Sequence, residues 1–514
     1  MLTIVPPELR PGGKWWQGSD MLKVILIILI ILMPFLILAD DNSEDISNNL
    51  RIDSLYINGD IISANKVNLP FDQISVNRTI NSFLKPYQDS GYYYASLEIE
   101  QIEKDNSRVI LHLNLLKGPL LKIGAIVIDG LRRTNVNTVK RYIAINKSDT
   151  LNNELLEKSD FAVRQIDYIR YLPPIDVIPR PGFTEADLLF HFEEIKPVSI
   201  IAGGGYLPDK KTMIWNLDLR LNNLFGSGRK VSFKSEKKEK GHNILELYYR
   251  QFIFNKGFST VEFTTSTRDY RDKFYEFSIE SKLKVLLSKK LHSGVGLGYR
   301  SVEPVETTLP YSSFSTYSAD FSISSDNLID KYNPIQGYEF DWIIKYTYRK
   351  YNDDSLQSER GLLSSYNDTR LKIKMGWYQT IISEFIVYTG VKYFGLETAE
   401  NLPPFSELYF VGGPGTIRGF RSEQFTALRT AIFTIEPRFR FNSGNFFLFY
   451  DGAYINNRIA DSEAEIKTVE DFYQGIGFGI TLQNSYRFVK LSFGWNRDLP
   501  FDQPYLSLEL STDI

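Results

Sequence analysis

The sequence predicts an α+β region followed by an all-β transmembrane barrel of about 16 antiparallel strands. Short segments of alternating apolar and polar residues fill residues 198–514, as in Phe433–Phe441, where the odd positions are apolar and the even ones polar. Aromatic residues make up 14% of the chain, with 31 Tyr and 35 Phe, which is typical of the aromatic girdles of membrane barrels. No apolar run of about 20 residues follows residue 39, which excludes a bundle of membrane helices. Because lipid cannot satisfy unpaired backbone groups, we expect the strands to close into a barrel.

Residues 1–39 have the pattern of a signal peptide. The apolar run Val24–Ala39 follows Lys23 and is short for a membrane-spanning helix, which needs about 20 residues. Ile37 stands where a cleavage site would have a second small residue, so the cleavage point stays open. Met21 is an alternative start of the natural chain. A retained inner-membrane anchor is the alternative to a signal peptide.

Composition and charge exclude several classes of function. The chain has 59 Lys and Arg against 62 Asp and Glu, a net charge of -3 that does not favour nucleic-acid binding. It has no cysteine, so packing and hydrogen bonding must stabilise it without disulfides. A barrel enzyme such as a phospholipase would need a nucleophile beside a base. The histidines form no evident serine–histidine arrangement, so we expect no enzymatic activity, cofactor or metal; they are His112, His191, His242 and His292.

Residues 40–119 and 120–197 predict two α+β domains that repeat one order of elements: strand, helix, strand, strand. The helices follow from apolar residues at helical spacing and the strands from alternating or apolar segments. In the first domain the elements are Arg51–Gly59, the helix Ser75–Ser90, Tyr94–Ile102 and Val109–Leu115. In the second they are Lys122–Gly130, the helices Val139–Ile145 and Leu151–Leu172, and the hairpin strands Pro173–Pro179 and Ala186–Phe192.

Residues 198–514 carry the predicted barrel. With about 20 residues for one tilted strand and half of its connections, this length gives about 16 strands, an even number as in bacterial barrels. A soluble β-sandwich or propeller is the alternative, but it would not need tyrosine and tryptophan on its outer face. The charged run Lys234–Lys240 predicts a solvated turn or loop. Alternation is clearest in Trp215–Leu221, Tyr338–Tyr348, Leu371–Trp377, Val489–Trp495 and Leu506–Ile514.

A glycine-rich loop within the barrel region supplies one arginine. Its candidate site residues are Gly412, Gly413, Gly415, Ile417, Arg418, Gly419 and Phe420. Because arginine keeps its charge, a buried Arg418 must meet carboxylates that fit its planar fork. Glu436 and Asp451 fall on the polar face of their predicted strands, so we expect both to bind Arg418 in the barrel lumen. The alternative is a surface loop whose arginine is solvated.

Several motifs resemble known domains. Parts of the α+β region resemble a polypeptide-transport-associated (POTRA) domain, namely Tyr87–Tyr92, Leu113–Pro119 and Ile126–Gly130. Thr416–Phe420 resembles the (V/I)RGF/Y motif of the BamA/TamA superfamily, with the arginine at Arg418. From about residue 51 onward, the chain therefore resembles this superfamily of outer-membrane assembly and translocation proteins, which are of the bacterial surface antigen type.

The resemblance implies a lumen site. In the family the motif lies on the sixth extracellular loop, which folds into the lumen, where its arginine contacts acidic residues on neighbouring strands. Phe449–Asp451 is similar to the start of the family's F-x-D-x-G pattern, and Glu436 matches the acidic position of the preceding strand. The chain departs from the pattern at Ala453, where glycine is expected, and ends in Ile514 rather than phenylalanine.

The resemblance also implies an outer-membrane protein with POTRA domains in the periplasm, which assembles, inserts or translocates other proteins. POTRA-like sheet edges would capture extended clients by strand addition. A weak seam between the first and last barrel strands, near Ala202 and near Leu508, would open to template them, and Gly203–Gly205 would lower pairing stability there. The implied partners are unfolded outer-membrane or secreted proteins, outer-membrane lipids, and a periplasmic or inner-membrane protein.

The alternative function is a two-partner secretion transporter. Such a transporter also has two POTRA domains, but it passes one dedicated polypeptide through its pore. It usually carries a plug helix before the first POTRA domain, and Asp40–Leu50 is too short for a helix and a linker.

Overall fold

The computed structural model describes residues 50–58, 60–61, 69–105, 108–143, 145–207, 212–239, 241–253, 259–270, 273–288, 290–305, 312–329, 333–353, 363–441, 444–460, 465–483 and 487–513. The signal peptide predicted for residues 1–39 lies outside the described residues. The chain divides into two compact units, Met1–Leu84 with Ala95–Leu116 and Lys85–Tyr94 with Lys117–Ile514. We call their described parts the N-terminal unit and the C-terminal unit.

The N-terminal unit is a sheet packed against a helix. Its elements are β1 (Arg51–Ile57), β2 (Asp60–Ile61), β3 (Leu69–Pro70), α1 (Gln73–Asp89), β4 (Ser96–Asp105) and β5 (Arg108–Leu116). β1 pairs in parallel with β5, which pairs antiparallel with β4, so that β4 forms one edge of the sheet. Alternate residues of β5, namely Val109, Leu111 and Leu113, are buried in a core to which α1 contributes its apolar face.

The C-terminal unit begins with a second α+β layer that repeats this arrangement. Its elements are β6 (Lys122–Asp129), α2 (Val136–Tyr142), α3 (Asn153–Arg164), β7 (Ile169–Pro179) and β8 (Glu185–Glu194). β6 pairs in parallel with β8, which pairs antiparallel with β7. The side chains of Asn135 and Asn152 cap α2 and α3 by accepting hydrogen bonds from backbone amides of the first turn. The predicted repeat of strand, helix and hairpin is therefore present in both places.

One predicted helix is too long. The helix expected over Leu151–Leu172 ends at Arg164, and its last residues belong to β7. In β7, Ile169 and Tyr171 are buried while Arg170 is exposed, which is the two-residue period of a strand. Pairing with β8 decides the conformation of this segment. The other elements predicted in the α+β region are present, with ends shifted by a few residues. In the described part of the chain, no helix has both the length and the apolar composition needed to cross a membrane.

The rest of the C-terminal unit is a sheet of 16 antiparallel strands, so the predicted strand number is confirmed. Each strand pairs with the next, except that two short strands form a separate hairpin between β19 and β22. In chain order the strands are β9 (Val198–Leu207), β10 (Thr212–Leu224), β11 (Arg229–Glu239), β12 (His242–Ile253), β13 (Ser259–Tyr270), β14 (Phe274–Ser288), β15 (Leu291–Pro304), β16 (Phe314–Asp326), β17 (Gly337–Tyr351), β18 (Ser365–Ile382), β19 (Phe385–Thr398), β20 (Tyr409–Val411), β21 (Phe425–Ala427), β22 (Arg429–Phe441), β23 (Gly444–Ala460), β24 (Ile466–Gln483), β25 (Arg487–Asn496) and β26 (Tyr505–Asp513).

Side chains alternate between the two faces of this sheet. In β22, Glu436 and Arg438 are buried, while Ile435 and Phe439 are 46% and 57% exposed. The polar side chains thus face the concave interior, which we call the lumen, and the apolar side chains face outward. This is the alternation that the sequence predicts for a membrane barrel.

The first and last strands of the sheet are joined weakly. β26 meets β9 through two residue pairs, Thr512 with Ile200 and Asp513 with Ser199. On its other side, β9 pairs with β10 along its whole length. We call the junction of β9 and β26 the seam.

The turn predicted for Lys234–Lys240 is wrong, because residues as far as Glu239 lie in β11. The charged side chains neutralise one another along the strand. Glu236 lies 3.3 Å from Lys234 and 3.8 Å from Lys238. A run of charge is compatible with a strand when alternate residues form ion pairs in a polar lumen.

The second α+β layer packs on strands of the sheet. Phe252 of β12 belongs to the hydrophobic core of this layer, with its ring centre 5.3 Å from that of Tyr142. Arg250 donates to both carboxylate oxygens of Asp167, at 2.8 and 2.7 Å. These contacts fix the layer beside the first strands of the sheet. The domain boundaries after residues 39, 119 and 197 stay predictions.

Candidate functional site

Residues 399–428 connect β19 to β22 and fold into the lumen, and we call this segment the lumen loop. It contains a 3-10 turn, Phe405–Glu407, followed by β20 and β21, which pair with each other. The site residues predicted between Gly412 and Phe420 lie in the connection between these two short strands.

Arg418 lies at the centre of a charged cluster. Its Nε and Nη2 donate to the two carboxylate oxygens of Asp451, each at 2.7 Å, and its Nη1 donates to Oε2 of Glu436 at 2.6 Å. The backbone amide of Arg418 also donates to Asp451, at 3.0 Å. The side chains of Arg418, Glu436 and Asp451 are 11%, 3% and 1% exposed. The structure therefore brings together the three residues that the sequence predicts to meet, and the guanidinium uses its planar fork on both carboxylates.

Neighbouring side chains complete this cluster. The Arg418 guanidinium carbon lies 3.6 Å from the ring centre of Phe449, an arrangement that favours a cation–π contact. Thr434 donates its hydroxyl to Asp451 at 2.9 Å, and Nε of Arg438 donates to the second oxygen of Glu436 at 2.9 Å. Since every charge has an opposite partner, loss of Arg418 would leave two buried carboxylates undercompensated, at a cost of about 3 to 5 kcal/mol.

The backbone around Arg418 rests directly on β24 and β25. Gly419 has a φ of +86°, and a Cβ added there would lie 2.4 Å from the carbonyl oxygen of Trp495. On the facing strand, a Cβ added to Gly475 would lie 1.8 Å from the carbonyl oxygen of Arg418. The side chain of Asn496 donates to the Gly419 carbonyl at 2.7 Å. Glycine at both positions lets the loop backbone approach the wall closely enough for Arg418 to reach its partners.

The other predicted site residues have different surroundings. Ile417 and Phe420 are buried in an apolar cluster, whose other members are Val411, Ala427, Ile432, Ala453 and Ile455. Alanine at the position where the family motif expects glycine is therefore part of this packing. Gly412 and Gly413 have positive φ, whereas a Cβ added to Gly415 would meet nothing within 4 Å. The Gly415 carbonyl accepts a hydrogen bond from Lys392 at 2.8 Å.

Acidic residues of the lumen loop make a second set of ion pairs, which the sequence analysis missed. Glu407 is fully buried and accepts hydrogen bonds from Arg300 of β15 and Arg370 of β18. Burial alone would raise the pKa of Glu407, but the two guanidinium groups lower it to about 2. Alternation along β18 predicts that Arg370 faces the lumen. Its partner depends on how the loop crosses the lumen, and no pattern in the sequence encodes that path.

Two further glutamates tie the ends of the lumen loop. Glu423 lies 2.7 Å from Lys238 of β11 and 3.1 Å from Arg268 of β13. Glu400 accepts a hydrogen bond from Arg349 of β17 at 2.6 Å, and burial raises the pKa of Glu400 to about 7. The loop is thus anionic where it meets β11–β18 and cationic where Arg418 meets β22 and β23.

Aromatic side chains of the lumen loop pack against the ends of neighbouring strands. Phe405 and Phe410 pack against a buried cluster at the ends of β13–β18, formed by Tyr270, Phe274, Val302, Phe314, Tyr351 and Tyr366. The ring centres of Phe410 and Tyr270 are 4.8 Å apart. Apolar packing and ion pairs on several strands therefore hold the loop in place together.

Comparisons with known proteins agree with this fold. The model of the Omp85 superfamily domain matches residues 223–504, more than half of the chain, and this range contains the lumen loop with Glu436 and Asp451. The outer membrane protein assembly factor BamA of Nitratidesulfovibrio vulgaris is 23% identical over 217 residues, which are 42% of this chain and 27% of that protein. BamA of Neisseria meningitidis serogroup B is 20% identical over 365 residues, which are 65% of this chain and 44% of that protein. The chain thus spans less than half the length of either relative.

Solved structures share the fold at low sequence identity. The crystal structure of BamA from Haemophilus ducreyi lacking POTRA domains 1–3 has a TM-score of 0.55 at 13% identity, with 87% of this chain and 94% of that chain covered. CdiB from Acinetobacter baumannii has a TM-score of 0.54 at 11% identity, with 96% and 97% covered. CdiB from Escherichia coli has a TM-score of 0.54 at 12% identity, with 97% and 100% covered.

Proposed function

The chain belongs to the Omp85 superfamily, and we propose that it is an outer-membrane barrel that assembles or inserts other proteins through the seam between β9 and β26. The observation that carries this proposal is the shortness of the ladder at the seam. Among the described residues of β9, only Ser199 and Ile200 pair with β26. Backbone groups of the remaining β9 residues can accept a strand from a client, in the manner of strand addition at a sheet edge.

The lumen loop favours a lateral route for the client over a route through the lumen. Ion pairs at Glu400, Glu407, Arg418 and Glu423 reach strands on several sides. Moving the loop out of the lumen would separate all of these pairs together, and the charged side chains of the strands would lose their partners. Opening the seam would break two residue pairs. The seam is therefore the easier place for a client to enter.

The two α+β parts are proposed to be POTRA domains in the periplasm. Among the described residues of the N-terminal unit, no strand pairs with β4 on the side away from β5, and Ile99 and Ile102 are 47% and 50% exposed. Such an edge can add an extended client strand through backbone hydrogen bonds. In the C-terminal unit, the second layer packs beside β12, close in the sheet to β9. A client released there would reach the seam directly.

A two-partner secretion transporter is the second candidate, because two α+β parts precede the 16-stranded sheet in this chain, as two POTRA domains do in that class. It would pass one dedicated polypeptide through the lumen. Because ion pairs and apolar packing hold the lumen loop against the strands, this candidate requires displacement of the loop for every passage.

Depletion of the protein in its native cell, followed by proteomics of the outer membrane, separates the two candidates. We expect broad loss of outer-membrane barrel proteins from the membrane fraction. Loss of one exported polypeptide, with the outer-membrane proteome otherwise intact, would overturn the assembly proposal and support dedicated secretion.

A further inference from the structure

Basic residues crowd one wall of the lumen, on β17–β19. Three successive inward positions of β18 are Arg370, Lys372 and Lys374. Arg370 stands directly opposite Lys345 of β17, and Lys374 stands directly opposite Lys392 of β19. Like charges in directly opposed positions destabilise a strand pair. A negatively charged partner at this wall would therefore stabilise the sheet.

Protein carboxylates balance only part of this charge. The ion pairs of the wall are Lys345 with Glu280, at 2.6 Å, and Arg370 with Glu407. Lys392 donates to the carbonyl oxygen of Gly415. In the part of the chain that the structure describes, no carboxylate forms an ion pair with Lys372 or Lys374. Two lysines of the wall are thus left to water or to a bound anion.

Lys372 opens onto a cavity of about 310 Å³ in the lumen. Its Nζ lies 5.9 Å from the ring centre of Tyr409, so the lumen loop lies close to the cavity. Lys282, Arg300, Lys345 and Arg370 also line this cavity, so cationic side chains from four strands converge on it.

The carboxylates that line the cavity are themselves neutralised. Asp320 lies 2.8 Å from Lys282, and Glu276 lies 3.2 Å from Arg300. Glu280 is the partner of Lys345. Since each acidic group is already paired with a cation, the charge that remains uncompensated at this cavity is positive.

We propose that the cavity binds a phosphate-type oxyanion, either free phosphate or the phosphoryl group of a lipid headgroup. Lysine binds phosphate as a point charge, and arginine donates to its oxygens through a planar fork. A phosphate anion in the cavity would balance Lys372, and the guanidinium groups of Arg300 and Arg370 line the same cavity. Neither the assembly proposal nor the seam is needed for this binding.

The test is equilibrium dialysis of the full chain in an uncharged maltoside detergent against radiolabelled inorganic phosphate at low salt. We expect saturable binding by the parent protein and about tenfold weaker binding by Lys372→Gln, which loses one charge-assisted contact. Lys350→Gln is the matched control, because Lys350 lies on the outward face of β17, and it should bind like the parent. Heat-modifiable mobility on gels verifies that each variant is folded.

Lys372→Arg provides a second variant that keeps every charge of the wall. It should bind nearly as tightly as the parent, because it retains a cation at the cavity. Absence of saturable binding by the folded parent, or equal binding by the parent and Lys372→Gln, would overturn the proposal and leave a cavity filled by water.

The two sources of the phosphoryl group are distinguished with glycerol 3-phosphate, a soluble analogue of a phospholipid headgroup. Displacement of labelled phosphate at lower concentrations of glycerol 3-phosphate than of unlabelled phosphate would identify a lipid headgroup as the ligand. Displacement at equal or higher concentrations would identify free phosphate. Both results require the lysine-dependent binding described above.

Discussion

At Arg418, one side chain joins the lumen loop to two strands of the sheet. Its fork occupies both oxygens of Asp451 and one oxygen of Glu436. A lysine would supply the charge but would lack the planar geometry that serves two carboxylates at once. Phe449 lies against the guanidinium, so substitution would also remove a stacking contact. The position therefore requires arginine for shape as well as for charge.

We predict that Arg418→Ala and Arg418→Lys leave the sheet folded but release the lumen loop. We expect Arg418→Ala to lower the free energy that holds the lumen loop in place by about 3 to 5 kcal/mol. Arg418→Lys should restore little of this free energy, because lysine lacks the planar fork. The measurement is protease resistance of residues 411–425, together with heat-modifiable mobility as a test of the fold. Arg421→Ala is the matched control, since Arg421 is exposed in the same loop. Parent-like protease resistance in Arg418→Ala would show that the cluster does not hold the loop.

The sequence predicts this cluster but not the other ion pairs of the loop. Glu436 and Asp451 could be found because alternation along a strand fixes which face a side chain occupies. Glu407 lies in a single 3-10 turn and Glu423 in a loop, so neither is part of a strand whose two-residue period would show which way its side chain faces. Their partners come from strands far away in the chain, and only the folded path of the loop brings them together.

At the scale of secondary-structure elements, one carboxylate at the end of β8 holds the loop that connects β6 to α2. Glu194, at the end of β8, accepts hydrogen bonds from the backbone amides of Arg132, Arg133 and Thr134, at 3.1, 2.6 and 2.7 Å. The hydroxyl of Thr134 in turn accepts a hydrogen bond from Asn223, at the end of β10, at 2.8 Å. Glu194 thus stabilises the loop through which the α+β layer contacts the sheet.

Because of Glu194, we predict that the stability of the second α+β layer depends on pH. Burial opposes ionisation of Glu194, but the three backbone amides lower its pKa below the ordinary value of 4.5. A lowered pKa contributes stability above the unfolded-state pKa, and this contribution is lost as the pH falls through the folded-state pKa. We therefore expect the layer to loosen below about pH 4.5.

Glu194→Gln should destabilise the layer at pH 7 by about 1 to 3 kcal/mol and flatten its dependence on acid pH. The measurement is hydrogen exchange of residues 117–197 in the full chain between pH 3 and pH 7, with the intrinsic exchange rates taken into account. Glu193→Gln is the matched control, because Glu193 pairs with Arg170 at an exposed site. Equal protection in the parent and in Glu194→Gln at every pH would contradict this role.

The free edge of β4 carries the other prediction at this scale. The register of β4 with β5 shifts between Ile99 and Gln101, so Glu100 lies at a bulge. Proline is tolerated at bulges, and Glu100→Pro would remove an amide that an added client strand could use. We expect weaker crosslinking of clients to the N-terminal unit in cells, with Glu100→Ala as a control that keeps the amide. Unchanged crosslinking in a folded Glu100→Pro variant would count against capture by this edge.

At the scale of the whole molecule, the sequence predicts the sheet better than the way in which its parts join. Strand number follows from the two-residue period and from the length of a membrane strand. Packing of Phe252 into the core of the second α+β layer could not be predicted, because an apolar residue near a strand end has the same pattern whether it faces lipid or a neighbouring layer. The length of the ladder at the seam is likewise a property of the folded sheet, although Gly203–Gly205 marks the weak strand.

The most direct test of lateral insertion is to lock the seam with a disulfide. The natural chain has no cysteine, so Ile200→Cys with Thr512→Cys creates one bridge across directly opposed residues of β9 and β26. Opposed residues of an antiparallel pair have Cα atoms about 4.5 to 5.5 Å apart, within the range that a disulfide spans. Leu247→Cys with Thr265→Cys, opposed on β12 and β13, is the matched control away from the seam.

The quantity to measure is the rate at which the purified protein in lipid vesicles promotes insertion of an unfolded barrel client. We predict that oxidation of the seam pair stops insertion, that reduction restores it, and that the control pair behaves like the parent in both states. Parent-like insertion by a protein whose seam disulfide is fully formed would contradict lateral opening between β9 and β26.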